Sequence, residues 1–564
     1  MLLCALFVVS LAYAHGFKVG TTEGIVDGFK AADGDYLAFY GIPYAGPTSG
    51  VNRFKAPVLP SRYHILAAND SNIICAQPTS RGLVGIEDCL TLTIFTKNVS
   101  AHRPVIVWLN ADEYTNSNTQ VISARRLIEQ NFVFVKLNFR LSVFGFLCLR
   151  VQEAPGNAGL KDVIQGLRWM KENIGNFGGD PNNIILMGHG SGAAMVDLLT
   201  LSPEIENLAH KAIVLSGSAL APWAVAYDPI GYAERLAKKL GYEGKNPEKL
   251  AKHLVDTDIY VLQAALNEFQ FYNNTPLFAP CLEDPKIFNH TVLREAPINV
   301  LRSSKYAQIP VIYGYTNREG TMRAEQADFG NWLSLMNSNF SFFLPVDLDL
   351  GKNQTAVAAS IRDYYFSNGS VSMALIEDFL DYEGDTLVLL STIRTATERA
   401  STSTSEVRLL EFAYLGTKNS RWIHNQIPLS GASHGAFLNY LFDDDLRPED
   451  EAVSKSLVGR FSAFASNWTS ANGTSNVNIT APWAPVNKTS TNYLYYGGNG
   501  GPTVNNTLIY VEEPRFNPHV QRTSFWGTIY SKYYVAPTGL PSSSSATLSS
   551  IFFVMICQLI VRLF

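Results

Sequence analysis

An apolar segment that runs into a glycine-rich turn constrains the fold most strongly. Residues 184–187 are Ile, Ile, Leu and Met, and residues 188–192 read Gly-His-Gly-Ser-Gly before two alanines. A short apolar run bounded by turn residues is typical of a buried strand. Glycines allow the chain to turn sharply and to approach other backbone closely. The segment therefore predicts a strand, a tight turn and a helix in immediate succession.

The same alternation of strand and helix recurs along the chain. Further buried parallel strands are predicted at residues 105–109, 132–137 and 212–215, after β-rich segments within residues 20–44. Helices are predicted at residues 162–174, 230–240, 246–266 and 356–377, the last two as a cap over the sheet. This order predicts an α/β fold with a large, mostly parallel central sheet and helices on both faces.

Composition favours one large domain over residues 15–540. The chain is 46% hydrophobic and 16% charged, and no Pro/Gly-rich linker interrupts it. The net charge of −5 is spread without blocks, so nothing favours a nucleic-acid partner. We predict neither a metal site nor a cofactor.

Both termini carry targeting signals. Residues 1–14 are apolar and end in Ala-Tyr-Ala, which predicts a signal peptide. Residues 541–564 combine small serines, a spacer and an apolar end shorter than a membrane span, which predicts a GPI anchor attached near Gly539 or residues 542–544. A short transmembrane tail is the alternative. Either signal predicts a protein on the extracellular face of the cell surface.

Several longer motifs occur in a fixed order along the chain. They are Phe39-Tyr40-Gly41-Ile42-Pro43-Tyr44-Ala45 with Arg53-Phe54, Glu87-Asp88-Cys89-Leu90-Thr91-Leu92, Ala154-Pro155-Gly156-Asn157, Phe177-Gly178-Gly179-Asp180-Pro181 and Leu215-Ser216-Gly217-Ser218. Together they resemble the carboxylesterase/cholinesterase family of α/β-hydrolases. Within that family, the chain resembles the catalytically silent cholinesterase-like adhesion molecules.

The resemblance implies a catalytic triad from which the nucleophile is missing. The family's G-x-S-x-G elbow places Gly190 where the serine should stand. Glu319 and His434 match the segments that carry the acid and the base. Without a serine the pair has no proton to move, so we interpret it as a buried, hydrogen-bonded remnant.

Ser191 is a weak alternative nucleophile. Moving the motif by one residue would flank it with His189 and Ala193 instead of glycines. In the family, the residue at this position donates its backbone N–H to the oxyanion, while its side chain points away from the base.

The oxyanion loop is also altered. The family's glycine-rich loop follows an early strand, and here that position holds Asn110, Ala111, Asp112 and Glu113. Loss of one oxyanion donor costs roughly 2.7–4 kcal/mol of transition-state stabilisation, and two carboxylates would repel the developing charge. The chain is therefore predicted not to be an enzyme, even with serine restored at position 190.

The resemblance also implies a disulfide between Cys75 and Cys89. Cys148 lies in an apolar run and is predicted to be a buried free thiol, while Cys281 has no obvious partner. Twelve N-x-S/T sequons are candidate glycan sites on surface loops. They are Asn69, Asn98, Asn273, Asn289, Asn339, Asn353, Asn368, Asn467, Asn472, Asn478, Asn487 and Asn505.

Three functions remain open at this point. The leading prediction is a non-catalytic cell-surface glycoprotein that recognises an extracellular protein partner or mediates cell adhesion. A homodimer is one form that such a protein could take. The second is a protein that binds a small apolar ligand in the family's gorge. The third is a carboxylic ester hydrolase with residual activity, using Ser191 or a water molecule activated by His434.

Overall fold

The computed structural model describes residues 16–538, apart from 80–81, 118–122, 268–273, 286, 289, 329, 368, 419–421, 424–426, 468–480 and 499–509. The strands are β1 Phe17–Gly20, β2 Ile25–Lys30, β3 Leu37–Pro43, β4 Ile65–Ala67, β5 Gln77–Thr79, β6 Gly82–Val84, β7 Thr91–Thr96, β8 Arg103–Ala111, β9 Val133–Leu137, β10 Cys148–Val151, β11 Ala154–Pro155, β12 Gly179–Gly190, β13 Lys211–Leu215, β14 Val311–Thr316, β15 Val407–Phe412, β16 Trp422–Ile423, β17 Ile427–Pro428, β18 Asn492–Gly498 and β19 Tyr510–Phe516.

The α-helices are α1 Arg125–Glu129, α2 Ser142–Phe146, α3 Ala158–Asn173, α4 Ser191–Thr200, α5 Pro229–Lys239, α6 Pro247–Asp256, α7 Ile259–Asn267, α8 Pro297–Ser303, α9 Ala324–Asp328, α10 Trp332–Ser338, α11 Gln354–Phe366, α12 Ile376–Gly384, α13 Leu390–Thr402, α14 Ala436–Phe442, α15 Pro448–Ala465 and α16 Val520–Tyr533. A π-helical turn, Asp385–Leu389, joins α12 to α13.

One large mixed sheet organises the molecule. Its strand order is β1-β2-β3-β7-β9-β8-β12-β13-β14-β15-β18-β19, with β4 beside β2. The central strands from β9 to β18 run parallel. The flanking strands pair antiparallel, except that β4 runs parallel to β2. The predicted α/β fold is confirmed, as are the four central strands expected from their apolar runs.

The strand β12 shows why the centre of the sheet could be predicted. Ile184 to Met187 are fully buried because β8 and β13 flank the strand and helices cover the sheet. The predicted crossover helix is α3, and Trp169 and Met170 of this helix are buried in the same core. The carboxyl ends of β12 and β8 therefore lie side by side, with Gly190 next to Ala111.

Two predicted helices are wrong as single elements. Residues 246–266 form α6 and α7, with a break between Asp256 and Ile259, where Thr257 and Asp258 are not helical. Residues 356–377 comprise most of α11 and only the start of α12. Both patterns were apolar enough to suggest continuous helices, but Asn246 caps α6 and Asp258 accepts hydrogen bonds from Tyr260 and Val261 at a new helix start.

The prediction for the cysteines was half right. Cys75 and Cys89 form the implied disulfide. Cys148 is not a free thiol, because it is bonded to Cys281, 133 residues further along the chain. The partners lie on β10 and in a loop, so sequence spacing gave no sign of the pairing. Gly156 packs against both sulfur atoms, where a Cβ would stand within 2.8 Å of each.

Several terminal and surface predictions lie outside the described residues. These are the signal peptide 1–14, the anchor segment 541–564, and the sequons Asn273, Asn289, Asn368, Asn472, Asn478 and Asn505. The remaining sequons are exposed at Asn69, Asn98, Asn353, Asn467 and Asn487 and half-buried at Asn339. Across the described residues, no helix combines the length and apolar character needed to cross a membrane.

Candidate active site

The turn after β12 keeps the conformation of a nucleophile elbow. Gly190 has φ +58° and ψ −126°, and α4 begins at the next residue. The glycines on either side are required by space, because a Cβ at Gly188 would lie 2.4 Å from the Gly192 carbonyl oxygen and one at Gly192 would lie 2.2 Å from that of Leu109. At Gly190 the nearest atoms to a Cβ would be Ala111 O at 3.7 Å and His434 Nε2 at 3.8 Å. Space for a side chain remains at position 190, aimed at the base.

The acid and the base meet at this turn. Glu319 follows β14, and its Oε2 lies 2.5 Å from Nδ1 of His434. The other carboxylate oxygen accepts hydrogen bonds from the Ser216 hydroxyl at 2.5 Å and the Thr316 backbone amide at 2.6 Å. Glu319 is almost fully buried, whereas His434 is partly open to the cavity. The dyad that the resemblance implied is therefore assembled, with Nε2 of the imidazole facing the position that a serine would occupy.

A second histidine, which the sequence did not single out for a role, lies beside the dyad. The rings of His189 and His434 are 4.5 Å apart between centroids. Burial lowers the pKa of His189 well below its ordinary range, and the charge of His434 lowers it further. Its Nε2 is buried without a hydrogen-bond partner among the described residues. His189 is thus neutral at physiological pH and packs against the base as an uncharged ring.

Ser191 is engaged in the fold. Its side chain is buried, and its Oγ accepts a hydrogen bond of 2.9 Å from the backbone amide of Tyr114. The Tyr114 hydroxyl in turn donates to the Ala224 carbonyl at 3.1 Å. The sequence gave no reason to single out Tyr114, but it is the residue that fixes the altered loop against α4. This contact supplies a structural role for Ser191.

The variant Ser191→Ala tests that role. It removes the acceptor that the buried Tyr114 amide has among the described residues, and an unsatisfied buried donor costs about 1–3 kcal/mol. We expect a lower free energy of unfolding, measured by denaturant titration, without a change in reactivity toward a fluorophosphonate probe. If the probe labels the natural chain but not the Ser191→Ala variant, Ser191 is a nucleophile and the structural role proposed for it is wrong.

The altered oxyanion loop keeps a sharp turn without glycine. Asn110 and Ala111 end β8, and both Glu113 (φ +47°) and Tyr114 (φ +59°) adopt the left-handed conformation. Such a conformation costs a residue with a side chain roughly 1–2 kcal/mol. The turn is therefore present without glycine, and the hydrogen bond between the Tyr114 amide and Ser191 holds it.

The loop nevertheless offers few donors to a ligand. The Asp112 amide donates to the Asn116 carbonyl at 2.7 Å, and that of Tyr114 donates to Ser191. Of these consecutive amides, only that of Glu113 has no hydrogen-bond partner among the described residues. The Ser191 amide at the start of α4 is the other group placed to face a ligand oxygen.

The two loop carboxylates have different surroundings. Glu113 forms an ion pair of 2.5 Å with Arg323, whose Nε donates to Asn274 Oδ1 at 2.8 Å. Asn274 also donates to the buried Glu383, and burial raises the pKa of Glu383 to about 7 although Arg323 opposes the shift. Partial removal from water raises the pKa of Asp112, and the Glu113 carboxylate raises it further.

These groups enclose a cavity of about 330 Å³. Its polar lining includes Asp112, Glu113, Arg323, Asn274 and His434. The apolar wall consists of Trp223, Pro276, Met322, Trp332 and Leu387. The cavity opens beside Gly190, so the dyad faces a space large enough for a small organic molecule.

The π-helical turn helps to shape this wall. The Trp223 Nε1 donates to the Leu387 carbonyl at 2.8 Å, and Leu387 itself lines the cavity. A π-helical turn is uncommon and frequently occurs at functional sites. Arg323, Trp332 and Leu387 come from segments without a recognisable motif, so the sequence did not indicate that they line the site.

Fold and site together define an α/β-hydrolase with an assembled acid–base pair and no serine at its elbow. A profile of the Carboxylesterase family matches residues 15–508. The chain therefore belongs to the carboxylesterase family.

Its relatives carry esterase names. Venom carboxylesterase-6 of Apis mellifera is 28% identical over 91% of this chain and 94% of its own. Juvenile hormone esterase of Heliothis virescens is 28% identical over 74% of this chain and 78% of its own. A crystal structure of juvenile hormone esterase from Manduca sexta matches with a TM-score of 0.80 at 22% identity, covering 92% of this chain and 100% of that one. The predicted likeness to adhesion molecules has no support from these relatives.

Proposed function

We propose that this protein binds an ester or a similar small molecule in the cavity without forming a covalent intermediate. The observation that carries the proposal is Gly190, which leaves an assembled acid–base dyad facing a position with no nucleophilic atom. Ligand binding is favoured over cell adhesion for two reasons. A cavity lies beside the acid–base dyad, and the relatives are named esterases.

The chemistry of the dyad supports binding over turnover. In a serine esterase the base takes the proton of the attacking hydroxyl, and the acid holds the imidazole in the required tautomer. Here Glu319 still holds Nδ1 of His434, so Nε2 is free to accept a hydrogen bond from a ligand donor. Glu113 and Ser191 also line this cavity, and their backbone amides are the candidate donors to a ligand carbonyl.

A second candidate function is slow hydrolysis through water. The observation in its favour is the open space at 3.8 Å from His434 Nε2, which a water molecule could enter at the serine's position. His434 would take a proton from that water as the water oxygen attacks the ester carbonyl. It would then return the proton to the leaving alcohol oxygen as the acyl–oxygen bond breaks, which releases the acid and the alcohol. Such turnover would require His434 but would leave no labelled residue.

Recognition of an extracellular protein partner remains a separate proposal. It is supported by the predicted signal peptide and anchor and by the exposed sequons, which together suit a secreted or cell-surface glycoprotein. Ligand binding in the cavity and recognition of a protein partner are independent proposals.

Ligand binding can be tested with 1-naphthyl butyrate and the purified protein. We expect saturable binding in equilibrium dialysis and recovery of the ester, with naphthol release no faster than in buffer. Met322→Trp, which fills the cavity, should weaken binding about tenfold or more because bulky side chains displace the ligand. Met373→Trp is the matched control, since Met373 is exposed elsewhere. Absence of saturable binding, or equal binding by both variants, would contradict the proposal.

A further inference from the structure

Among the described residues of the cavity lining, Asp112 is the charged group that has no ion-pair partner in direct contact. Glu113 is paired with Arg323, and Glu319 with His434. The Asp112 side chain is exposed to the cavity and forms no hydrogen bond or ion pair with a described residue, although the charges of His434 and Arg323 act on it from a distance. A further positive charge in contact with this carboxylate would stabilise its ionised form.

Carboxyl groups outnumber positively charged groups around the cavity. Four carboxyl groups lie on or next to it, namely Asp112, Glu113, Glu319 and Glu383. Among the described residues that line the cavity, Arg323 is the only permanent cation, and His434 adds at most one charge to the pair with Glu319. His189 adds none, because burial lowers its pKa. The site therefore has room for one additional positive charge, on the side where Asp112 lies.

The surroundings favour an organic cation over a metal ion. Within the described residues, no group of three or more His, Cys, Asp or Glu side chains could hold a metal. Trp223 and Trp332 instead supply an aromatic wall on the same cavity. Indole faces attract cations, and Arg323 already lies 5.8 Å from the ring centroid of Trp332. This mixture suits a molecule with an apolar body and one ammonium group.

We infer that the ligand class of this cavity is small organic amines, with the protonated amine paired to Asp112. The inference rests on the proposed non-covalent binding function and adds the chemical class of the ligand. The apolar part of the molecule would lie against Trp223, Met322 and Leu387. Hydrogen bonds between charged groups contribute more than neutral ones, so the ammonium would determine specificity.

The inference can be tested by calorimetry with two ligands of the same size and shape. 2-Phenylethylamine carries the ammonium group, and 2-phenylethanol is its neutral counterpart. We expect the amine to bind about tenfold more tightly, as expected for a hydrogen bond between charged partners. Asp112→Asn should remove this preference by weakening amine binding to about the level of alcohol binding in the same variant. Asp363→Asn, at an exposed position on α11, is the matched control and should keep the preference.

The outcomes separate this inference from the proposed function. Equal binding of amine and alcohol, or an amine preference that survives Asp112→Asn, overturns the inference while non-covalent binding stands. Binding of neither ligand overturns the inference, and saturable binding of naphthyl butyrate then decides the proposed function independently. Release of naphthol with a covalently labelled protein overturns the proposed function, whatever the amine preference.

Discussion

Gly190→Ser is expected to make the protein react covalently with a fluorophosphonate probe. The new Oγ would extend from a Cβ that stands 3.8 Å from His434 Nε2, within reach of a hydrogen bond to the base. The base is already oriented by Glu319 at 2.5 Å. We therefore expect one probe molecule per chain by intact mass, attached at residue 190, and none on the natural chain.

Ester turnover by this variant should remain low. Removal of a single oxyanion donor costs about 10²–10³ in kcat, and here the Asp112 and Tyr114 amides are already hydrogen bonded within the protein. The Asp112 carboxylate also repels the negative charge that develops on the substrate. Adding Asp112→Gly to Gly190→Ser should therefore raise turnover above that of the single variant.

Gly190→Ala is the matched control for these experiments. Both substitutions place a Cβ on a backbone with φ +58° and ψ −126°, a sparsely populated region that costs about 1–3 kcal/mol, but alanine supplies no nucleophile. The elbow geometry is supported if both variants lose the same stability and the probe labels only the serine variant. A folded Gly190→Ser protein that binds naphthyl butyrate yet resists the probe would contradict it.

Replacing both Cys148 and Cys281 by alanine should destabilise the protein strongly. Their disulfide closes a loop of 133 residues, and loss of such a bond costs about 2–5 kcal/mol. Because a chain of this size can unfold irreversibly, the measurement is the unfolding midpoint at a fixed scan rate, together with the half-life at elevated temperature. We expect a lower midpoint and a shorter half-life.

The other disulfide provides the comparison. Cys75 and Cys89 are only 14 residues apart, and a shorter loop restricts the unfolded chain less. Replacing that pair should therefore cause a smaller shift. Thiol titration of the denatured, unreduced protein should find neither Cys148 nor Cys281 free. A free thiol at Cys148, or an equal effect of the two replacements, would contradict this account.

The sequence predicted the parts of the fold that depend on local pattern. The buried run at residues 184–187 and its neighbours gave the central strands, because a strand covered on both faces is apolar throughout. Gly188 and Gly192 predicted the elbow, since any side chain there would collide with backbone. Glu319 and His434 followed from a family resemblance, and the structure brings them together.

The rest depends on contacts between distant segments. The pairing of Cys148 with Cys281 and the pairing of Glu113 with Arg323 join residues more than a hundred positions apart, which no local pattern reveals. The turn at Glu113 and Tyr114 survives the loss of glycine because a serine on another element accepts the Tyr114 amide. The sequence showed which residues had changed but not what holds the altered loop in place.

The central claim is that the elbow no longer supports covalent ester chemistry, and labelling of the natural chain tests it most directly. The purified protein would be incubated with a fluorophosphonate and analysed by intact mass, while naphthol release from 1-naphthyl butyrate is followed in parallel. We predict no added mass and no release above buffer. Release that His434→Ala abolishes, without added mass, would leave the claim standing and identify hydrolysis through water. Probe attached to Ser191 would contradict the claim and identify the chain as an active serine esterase.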